Sequence, residues 1–189
     1  MKTPIVIITN LYPLPWQPTR ATFNYQQFTL LNEHYDVHML VPVAFPDWFA
    51  HRKEINQKNT KLKIVPYFYT PKFGRRFYSK LMYFSLRMTA WKWLKKIAPA
   101  KILASWAYPD GVAAEKIANK LNADFYLKVH GSDINMHASF PARANQIAKV
   151  GNQAHGILSV SQDLANKMID IGIKEDKMKK WLLIFLVLI

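Results

Sequence analysis

The feature of this sequence that most constrains its fold is a regular alternation of strand-like runs with helical patterns. The first run, 4–9, is a continuous stretch of apolar, mostly β-branched residues, which is typical of a strand covered on both faces. Further strand-like runs lie at 35–41, 61–67, 102–105, 123–129 and 156–160. Helical patterns lie at 21–32, 75–97, 109–121, 142–150 and 161–172. The alternation predicts an α/β fold: a doubly wound, mostly parallel sheet with helices on both faces.

Several residues are predicted to mark where these elements begin or end. Pro42 is expected to close the second strand, and Pro66 places the third strand near a sheet edge because proline cannot donate to a ladder. Asp110 and Ser161 are predicted N-caps of the helices that follow them. Gly172 is predicted to end the last helix.

Composition excludes several classes of protein. Of the 189 residues, 50% are apolar, so the chain can bury a sizeable core and is not intrinsically disordered. It has no cysteine, which excludes a disulfide framework and thiolate chemistry and agrees with a reducing compartment. The apolar run near the amino terminus is too short for a signal peptide, so we expect a first strand there rather than a leader.

The net charge of +14 is unevenly distributed. No acidic residue lies between Glu54 and Asp110, so this part of the chain should attract phosphorylated ligands, acidic lipid surfaces or nucleic acid. Because no RNA- or DNA-binding motif accompanies the charge, we do not expect nucleic acid as a partner.

The predicted helix 75–97 lies in this basic segment. Phe77, Leu81, Phe84, Met88 and Trp91 recur at spacings of four and three, which predicts one apolar stripe. The stripe has two interpretations: it faces the core, or it enters a membrane surface while the flanking cations meet anionic lipid. The candidates for membrane contact are Lys80, Arg87, Trp91, Trp93, Lys95 and Lys96.

The last residues, 179–189, break the alternation. After Met178 a seventh strand and a loop are expected, but two lysines lead into a run of nine apolar residues. Nine residues are too few to span a bilayer as a helix, and a strand of this composition should be buried. We therefore place one domain at 1–178 and interpret 179–189 as an apolar tail left by a truncation or frameshift.

Polar residues follow the fifth predicted strand, at the edge where open α/β sheets build ligand sites. His130 can contact a ligand there or be a capped core histidine. Gly131 can let the backbone approach a ligand closely, because it has no Cβ, or can make a plain turn. Asp133 can bond a ligand hydroxyl or cap the next segment. Together, His130 and Asp133 would also suit general base work, although no nucleophile with the needed partners accompanies them.

Three passages give the sequence a resemblance to a known family. They are TNLYP at 9–13 with FNYQQ at 23–27, WAYPDGV at 106–112, and LKVHGSDIN at 127–135 continued by ILSVS at 157–161. In this order and spacing they resemble the amino-terminal, acceptor-side half of family 4 glycosyltransferases, over 5–178. The resemblance implies a single Rossmann-like half of a GT-B fold.

The resemblance also implies a reaction. Such enzymes move a sugar from a nucleotide donor to an acceptor hydroxyl, with retention at the anomeric carbon and without a metal or other cofactor. The sugar or lipid-linked acceptor lies mainly on this half, in the synthesis of a cell-surface polysaccharide or glycolipid. A second Rossmann-like half holds the donor nucleotide. The sequence lacks that half, so we expect little or no transfer by this chain alone, and a separate donor-domain chain is a candidate partner.

By the same resemblance, the catalytic residues would be His130 and Asp133. The substrate-binding residues would be Gly131, Ser132, Arg20, Thr22, Tyr108 and Asp110. One passage departs from the family pattern, because relatives usually have a glycine before Phe23, which lets backbone amides face the donor phosphates. Here Ala21 and Thr22 carry a Cβ that limits close approach, and Arg20 is the candidate charged substitute.

Two other functions remain open. One is a non-enzymatic basic module that binds a membrane or a partner chain, and the other is a different GT-B enzyme such as a nucleotide-sugar epimerase. We expect a cytoplasmic protein, attached peripherally to the cytoplasmic face of the membrane if the basic helix binds lipid.

Overall fold

The structure is a computed structural model that describes residues 1–56, 58–70 and 74–179. These residues form one sheet of parallel strands in the order β3-β2-β1-β4-β5-β6-β7. The strands are β1 (Thr3–Ile8), β2 (Tyr35–Ala44), β3 (Leu62–Tyr67), β4 (Lys101–Ser105), β5 (Asp124–Val129), β6 (Gly156–Ser159) and β7 (Met178–Lys179). The chain therefore has the predicted Rossmann-like α/β fold.

Helices cover both faces of the sheet. They are α1 (Thr22–Leu30), α2 (Phe45–His51), α3 (Tyr78–Thr89), α4 (Trp91–Ile97), α5 (Val112–Leu121), α6 (Ser132–His137), α7 (Pro141–Gln153) and α8 (Gln162–Asp170). Ile5 and Ile7 of β1 belong to an apolar cluster with Phe28 of α1. Val6 and Ile8 belong to a second cluster, with α3, α4, α5, α7 and α8. Because successive strand side chains point to opposite faces, β1 supplies both clusters and is apolar from Pro4 to Ile8.

The strand order reverses between β1 and β4. From β1 the chain proceeds to β2 and β3 on one side, whereas β4 lies on the other side of β1 and continues to β7. The connections that leave β1 and β4 therefore diverge, and a crevice forms at the carboxyl ends of the strands. We call this place the switch point.

The prediction that Pro42 closes the second strand is wrong, because β2 continues to Ala44. Thr9 N donates to Leu40 O at 3.2 Å, so the backbone N and O of Leu40 face β1. Because alternate residues of a strand face the same neighbour, the backbone N and O of Pro42 also face the β1 side. Since β1 ends at Ile8, which pairs with Leu40, no β1 carbonyl needs an amide proton from Pro42. Pro66 lies on β3 at the sheet edge, as predicted.

The helix predicted at 75–97 is divided. A short 3₁₀ turn precedes α3, and α3 and α4 meet at Ala90, where φ is −119°. The side chains that pack into the core recur every four residues: Met82, Leu86, Ala90 and Leu94.

Three of the five residues in the predicted apolar stripe face outward. Phe77, Phe84 and Met88 are 42%, 61% and 81% exposed. The core-facing interpretation is therefore wrong for these three residues, whereas Trp91 packs against the core. Together with exposed Lys80, α3 and the turn before it present the three residues to the surroundings.

Helix ends agree with prediction in the last part of the chain. Ser161 caps α8, since its Oγ accepts from Leu164 N at 3.1 Å. Gly172 has a φ of 98° and follows the end of α8, with Ile173 N donating to Met168 O at 3.1 Å. Helix α6 was not predicted: it begins three residues after the end of β5, where a polar loop was expected.

The expected seventh strand is present as β7, in which Met178 pairs with Ile157 and Lys179 with Leu158. Lys179, assigned to the tail by the sequence, thus belongs to the sheet, and the rest of the predicted tail, 180–189, lies outside the described residues. Among the residues that the structure describes, no helix is both long enough and apolar enough to cross a bilayer.

Candidate functional site

Asp133 is fully buried and joins two loops of the switch point. Its Oδ1 accepts from the backbone N–H groups of His130, Gly131 and Ile134 at 3.0, 2.9 and 3.1 Å. Its Oδ2 accepts from Ala107 N at 2.9 Å, just after β4. Burial raises the pKa of Asp133, and these four hydrogen bonds oppose the rise. The carboxylate therefore positions His130, and its catalytic role stays a prediction.

His130 lies at the end of β5 and is partly exposed. Its Nε2 lies 2.8 Å from Ser105 Oγ. The rings of Phe23 and Trp106 flank the imidazole at 5.4 and 6.0 Å between centroids. Burial, and then the nearby charge of Lys128, lower the pKa of His130 to about 3. The imidazole is therefore neutral at physiological pH.

A buried polar network holds α1 against β4 and β5. Lys128 on β5 is 0% exposed, and its Nζ donates to Gln27 Oε1 and, at 2.8 Å, to Asn24 Oδ1. Ser105 Oγ lies 3.4 Å from the same Asn24 oxygen, and Asn24 Nδ2 donates to Leu11 O at 2.9 Å. Burial lowers the pKa of Lys128 to about 7. The network fixes the surroundings of His130.

Sequence reasoning missed this network. One signal was available: Lys128 interrupts the run of apolar and aromatic residues at 125–129, and a lysine at such a position needs buried polar partners. No local pattern identified Asn24 or Ser105 as those partners.

Asp110 does not cap α5, which corrects the prediction. It is fully buried, and its Oδ2 accepts from Asn10 N at 2.6 Å, so it joins the loop after β1 to the loop after β4. Its Oδ1 has no hydrogen-bond partner among the described residues. Burial raises the pKa of Asp110 to about 7, and the charge of Asp133 contributes, whereas the Asn10 hydrogen bond and the charge of Arg20 oppose the rise.

The loop before α1 keeps a backbone that favours glycine. Ala21 has a φ of 47° and a ψ of 43°, and it is one of the two residues before Phe23 that stand where the resemblance leads one to expect glycine. Arg20 donates to Gln17 Oε1 at 3.0 Å, and Thr22 is exposed at the first residue of α1. Phosphate binding by Arg20 and Thr22 remains a prediction.

The other predicted residues separate into two groups. Gly131 has a φ of 99°, and no atom lies within 4 Å of the place where a Cβ would be, so the backbone requires glycine and leaves open space. Ser132 is exposed beside it. Tyr108 is buried, and its hydroxyl donates to Arg75 O while its ring lies 5.3 Å from that of His137. The structure thus joins His130, Gly131, Asp133 and Asp110 by hydrogen bonds between their loops, while Tyr108 turns toward α6.

The predicted membrane-contact residues differ in exposure. The exposed ones are Lys80, Lys95 and Lys96. The Arg87 guanidinium lies 3.8 Å from the centroid of Trp91, which is partly buried. Trp93 packs against the core, and its Nε1 donates to Thr60 O at 3.2 Å. With Lys96, Trp93 also lines a cavity of about 400 Å³ beside the amino ends of β2 and β3, away from the switch point.

The groups at the switch point suit hydrogen bonding to a hydroxyl-rich ligand. They offer a neutral imidazole, an exposed hydroxyl and open space beside Gly131. Within the described ranges, no cluster of three or more histidine, aspartate or glutamate side chains could hold a metal ion.

Comparison with known proteins gives a likeness of fold. No model of a protein family matches the chain, and no curated protein sequence matches it. Among solved structures, UDP-GlcNAc 2-epimerase from Methanocaldococcus jannaschii superposes with a TM-score of 0.58 at 14% identity, over 94% of this chain and 45% of that one. The Rickettsia bellii UDP-N-acetylglucosamine 2-epimerase gives 0.58 at 9% identity, over 95% and 44%.

Anabaena HepE in complex with UDP gives a TM-score of 0.55 at 11% identity, over 94% of this chain and 43% of that one. This chain therefore spans less than half the length of these structures. The epimerases among these structures share the GT-B fold with glycosyltransferases. This chain has the architecture of one Rossmann-like half of that fold. At these identities the comparison establishes the fold alone.

Proposed function

We propose that this chain is the acceptor-side half of a retaining glycosyltransferase, which moves a sugar from a nucleotide donor to a polysaccharide or lipid-linked acceptor. The observation that carries the proposal is the neutral, partly exposed His130 at the switch point of a GT-B-type half. The structural likeness to UDP-sugar enzymes, and to HepE solved with UDP, supports a nucleotide sugar as the donor.

His130 is suited to bind a sugar hydroxyl. Ser105 occupies Nε2, and Nδ1 makes no hydrogen bond to the described residues. A neutral imidazole can donate from one nitrogen and accept at the other, so Nδ1 can pair with a hydroxyl in either tautomer. Asp133 holds the backbone of His130 and thereby fixes the direction of the ring.

A nucleotide-sugar epimerase is the competing enzyme, because the structural neighbours bear that name. Inversion at a carbon by proton removal requires a base whose pKa lies near the working pH. His130, with a pKa of about 3, is a weak base, and the Asp133 carboxylate is buried against four amides. Asp110 has a pKa of about 7, but its side chain is fully buried and does not reach the open space beside Gly131. These groups favour binding of hydroxyls over proton abstraction.

The test compares two histidine variants by calorimetric titration with UDP-GlcNAc, whose transferred sugar is the part of the donor proposed to reach His130. His130→Ala should weaken binding about 10-fold, since one hydrogen bond in a partly buried site contributes about 1.4 kcal/mol. His155→Ala is the matched control, because His155 is exposed at the amino end of β6 and should change affinity less than about twofold. If the two substitutions weaken binding equally, His130 does not belong to the binding site.

Activity assays separate the enzyme classes. We expect the purified 189-residue chain to transfer no sugar by itself, because it spans less than half the length of the matched structures and, under this proposal, a second half holds the donor. Transfer without a partner chain would refute the proposal that this chain holds only half of the active site. Inversion of the sugar of UDP-GlcNAc without an acceptor, detected by proton NMR, would instead establish an epimerase.

A second proposed function is peripheral binding to an anionic membrane, alone or as part of the enzyme. It is favoured by the outward stripe of α3, in which Phe84 and Met88 are 61% and 81% exposed beside Lys80. The double variant Phe84→Ser, Met88→Ser should lose flotation with phosphatidylglycerol vesicles, whereas Phe49→Ser on α2 should keep it. The absence of flotation by the unmodified chain at low salt would exclude this function.

A further inference from the structure

A second concave site lies between the start of α3 and the start of α7. It is a cavity of about 440 Å³, which we call the arginine cavity. Its lining consists of Gly74, Arg75, Arg76, Phe77, Phe140, Ala142 and Arg143. Apart from Phe77, which belongs to the predicted apolar stripe, its lining residues belong neither to the sequence motifs nor to the proposed histidine site.

Three positive charges meet at the arginine cavity without an acidic partner. None of the ion pairs formed by the described residues includes Arg75, Arg76 or Arg143. A guanidinium cannot lose its charge at neutral pH. The cavity therefore retains its full positive charge, and an anion is the complement it lacks.

Arg143 is the most informative of the three, because it is only 6% exposed. Its Nη1 lies 3.0 Å from His137 Nδ1, and its guanidinium lies 4.2 Å from the centroid of Phe140. Burial, and then the charges of Arg143 and Arg75, lower the pKa of His137 to about 4, so His137 accepts from Arg143 as a neutral ring. A buried charge with neutral partners alone is costly, and a bound anion would offset that cost.

The backbone adds to the same field. The cavity lies at the amino-terminal ends of α3 and α7, which have 12 and 13 residues and no acidic residue in the first turn. The positive end of each helix dipole therefore reinforces the arginines.

We propose that the arginine cavity binds the phosphate group of a phosphorylated ligand, as a phosphate ester or a diphosphate. Arginine forks match phosphate oxygens in pairs, which a chloride ion cannot exploit. Phe77 and Phe140 are 42% and 48% exposed at the cavity, so the phosphate can carry an apolar substituent.

The ligand of this cavity is the acceptor of the proposed transfer, and this assignment rests on the proposed function. Tyr108 connects the two sites. Its hydroxyl donates a hydrogen bond to Arg75 O, and the preceding residue, Ala107, donates its backbone N–H to Asp133 Oδ2. A phosphate held by the arginines would thus anchor a molecule beside the loop that follows β4. The anion site itself does not depend on the identity of the reaction.

The test is calorimetric titration of the 189-residue chain with inorganic pyrophosphate in 150 mM (about physiological) salt. Arg76→Gln, on an exposed side chain, should weaken binding at least about 10-fold. Arg143→Lys keeps the charge but loses the fork and should also weaken it. Arg52→Gln is the charge-matched control, on an exposed side chain outside the cavity, and should change affinity less than about twofold. No binding by the unmodified chain, or equal losses in Arg76→Gln and Arg52→Gln, would overturn the proposal.

A parallel titration with monomeric dihexanoyl phosphatidic acid identifies the source of the phosphate. Tighter binding than pyrophosphate, with the same loss in Arg76→Gln, supports a lipid-linked phosphate, whereas tighter pyrophosphate binding with that loss supports a soluble one. Binding of the lipid that Arg76→Gln leaves unchanged would overturn the proposal.

His130→Ala separates this inference from the proposed function. If it leaves UDP-GlcNAc affinity unchanged while Arg76→Gln weakens pyrophosphate binding, the proposed function fails and the anion site stands. If Arg76→Gln has no effect while His130→Ala weakens UDP-GlcNAc binding, the anion site fails alone.

Discussion

Replacing Asp110 by asparagine should change how the stability of the protein depends on pH. Asp110 is fully buried, one of its oxygens accepts from Asn10 N, and the other has no partner among the described residues. An asparagine side chain has the shape of the protonated acid and can keep the bond to Asn10. The variant therefore resembles the neutral form of Asp110 at every pH.

The magnitude follows from the pKa of Asp110, which burial raises from 3.8 to about 7. Between these values the folded protein keeps a proton that the unfolded chain has released, so this residue makes the protein less stable as pH rises from about 4 to 7. At about 1.4 kcal/mol per pH unit the full loss is about 4 kcal/mol. About 3 kcal/mol of it falls between pH 5 and pH 8.

The assay is urea unfolding of both proteins at several pH values from 5 to 8. The pKa values of His130 and His137 are lowered, so these two residues make the protein more stable as pH rises over part of this range. Any other group whose pKa is lowered in the folded state acts in the same direction as the histidines. The difference between the variant and the unmodified protein removes these contributions. Asp110→Asn should gain about 3 kcal/mol relative to the unmodified protein from pH 5 to pH 8. A difference that stays constant across this range would refute the reasoning.

Three further substitutions test other parts of the structure. Ala21→Gly should raise the unfolding free energy by about 1 kcal/mol, measured by thermal melting, because it relieves a left-handed backbone at a residue with a Cβ. Asp133→Ala should cost at least about 3 kcal/mol in urea unfolding, since four backbone N–H groups lose a charged acceptor, and a loss below about 1 kcal/mol would contradict that role. A lysine whose pKa is lowered to about 7 makes the unmodified protein more stable as pH rises from 7 to 10.5. Lys128→Met should abolish this rise in urea unfolding, and an unchanged pH profile would show that Lys128 is charged when folded.

The sheet could be predicted from the sequence because its signals are local. The continuous apolar run of β1 reflects its two covered faces, and Pro66 marked an edge strand correctly. Pro42 misled because its effect depends on where the neighbouring strand ends, which is a property of the sheet rather than of the local sequence.

The helix at 75–97 shows a different limit. The large apolar residues, such as Phe84 and Met88, have helical spacing but are exposed. The buried residues of the same segment are Met82, Leu86, Ala90 and Leu94. Periodicity identifies a helix face without stating whether the core or another surface covers it. The exposure of that face had to come from the structure.

The candidate site was predictable to the extent that it follows a strand end. The position of His130 and Gly131 after β5 indicated the carboxyl edge, and the structure places them there. Lys128 and Asn24 are 104 residues apart in sequence, and Asp110 and Asn10 are 100 apart, so only the folded chain brings each pair together. The burial of Asp133 likewise depends on a loop from β4.

The most direct test of the proposed cleft is a titration of the ¹⁵N-labelled chain with UDP-GlcNAc, followed by the backbone amide signals. If the switch point is half of a sugar-transfer site, the perturbed amides will cluster at the ends of β1, β4 and β5, at Asn10, Trp106, His130 and Gly131. Perturbations that instead cluster at the amino ends of β2 and β3, around Asp36 and Leu62, would contradict the central claim.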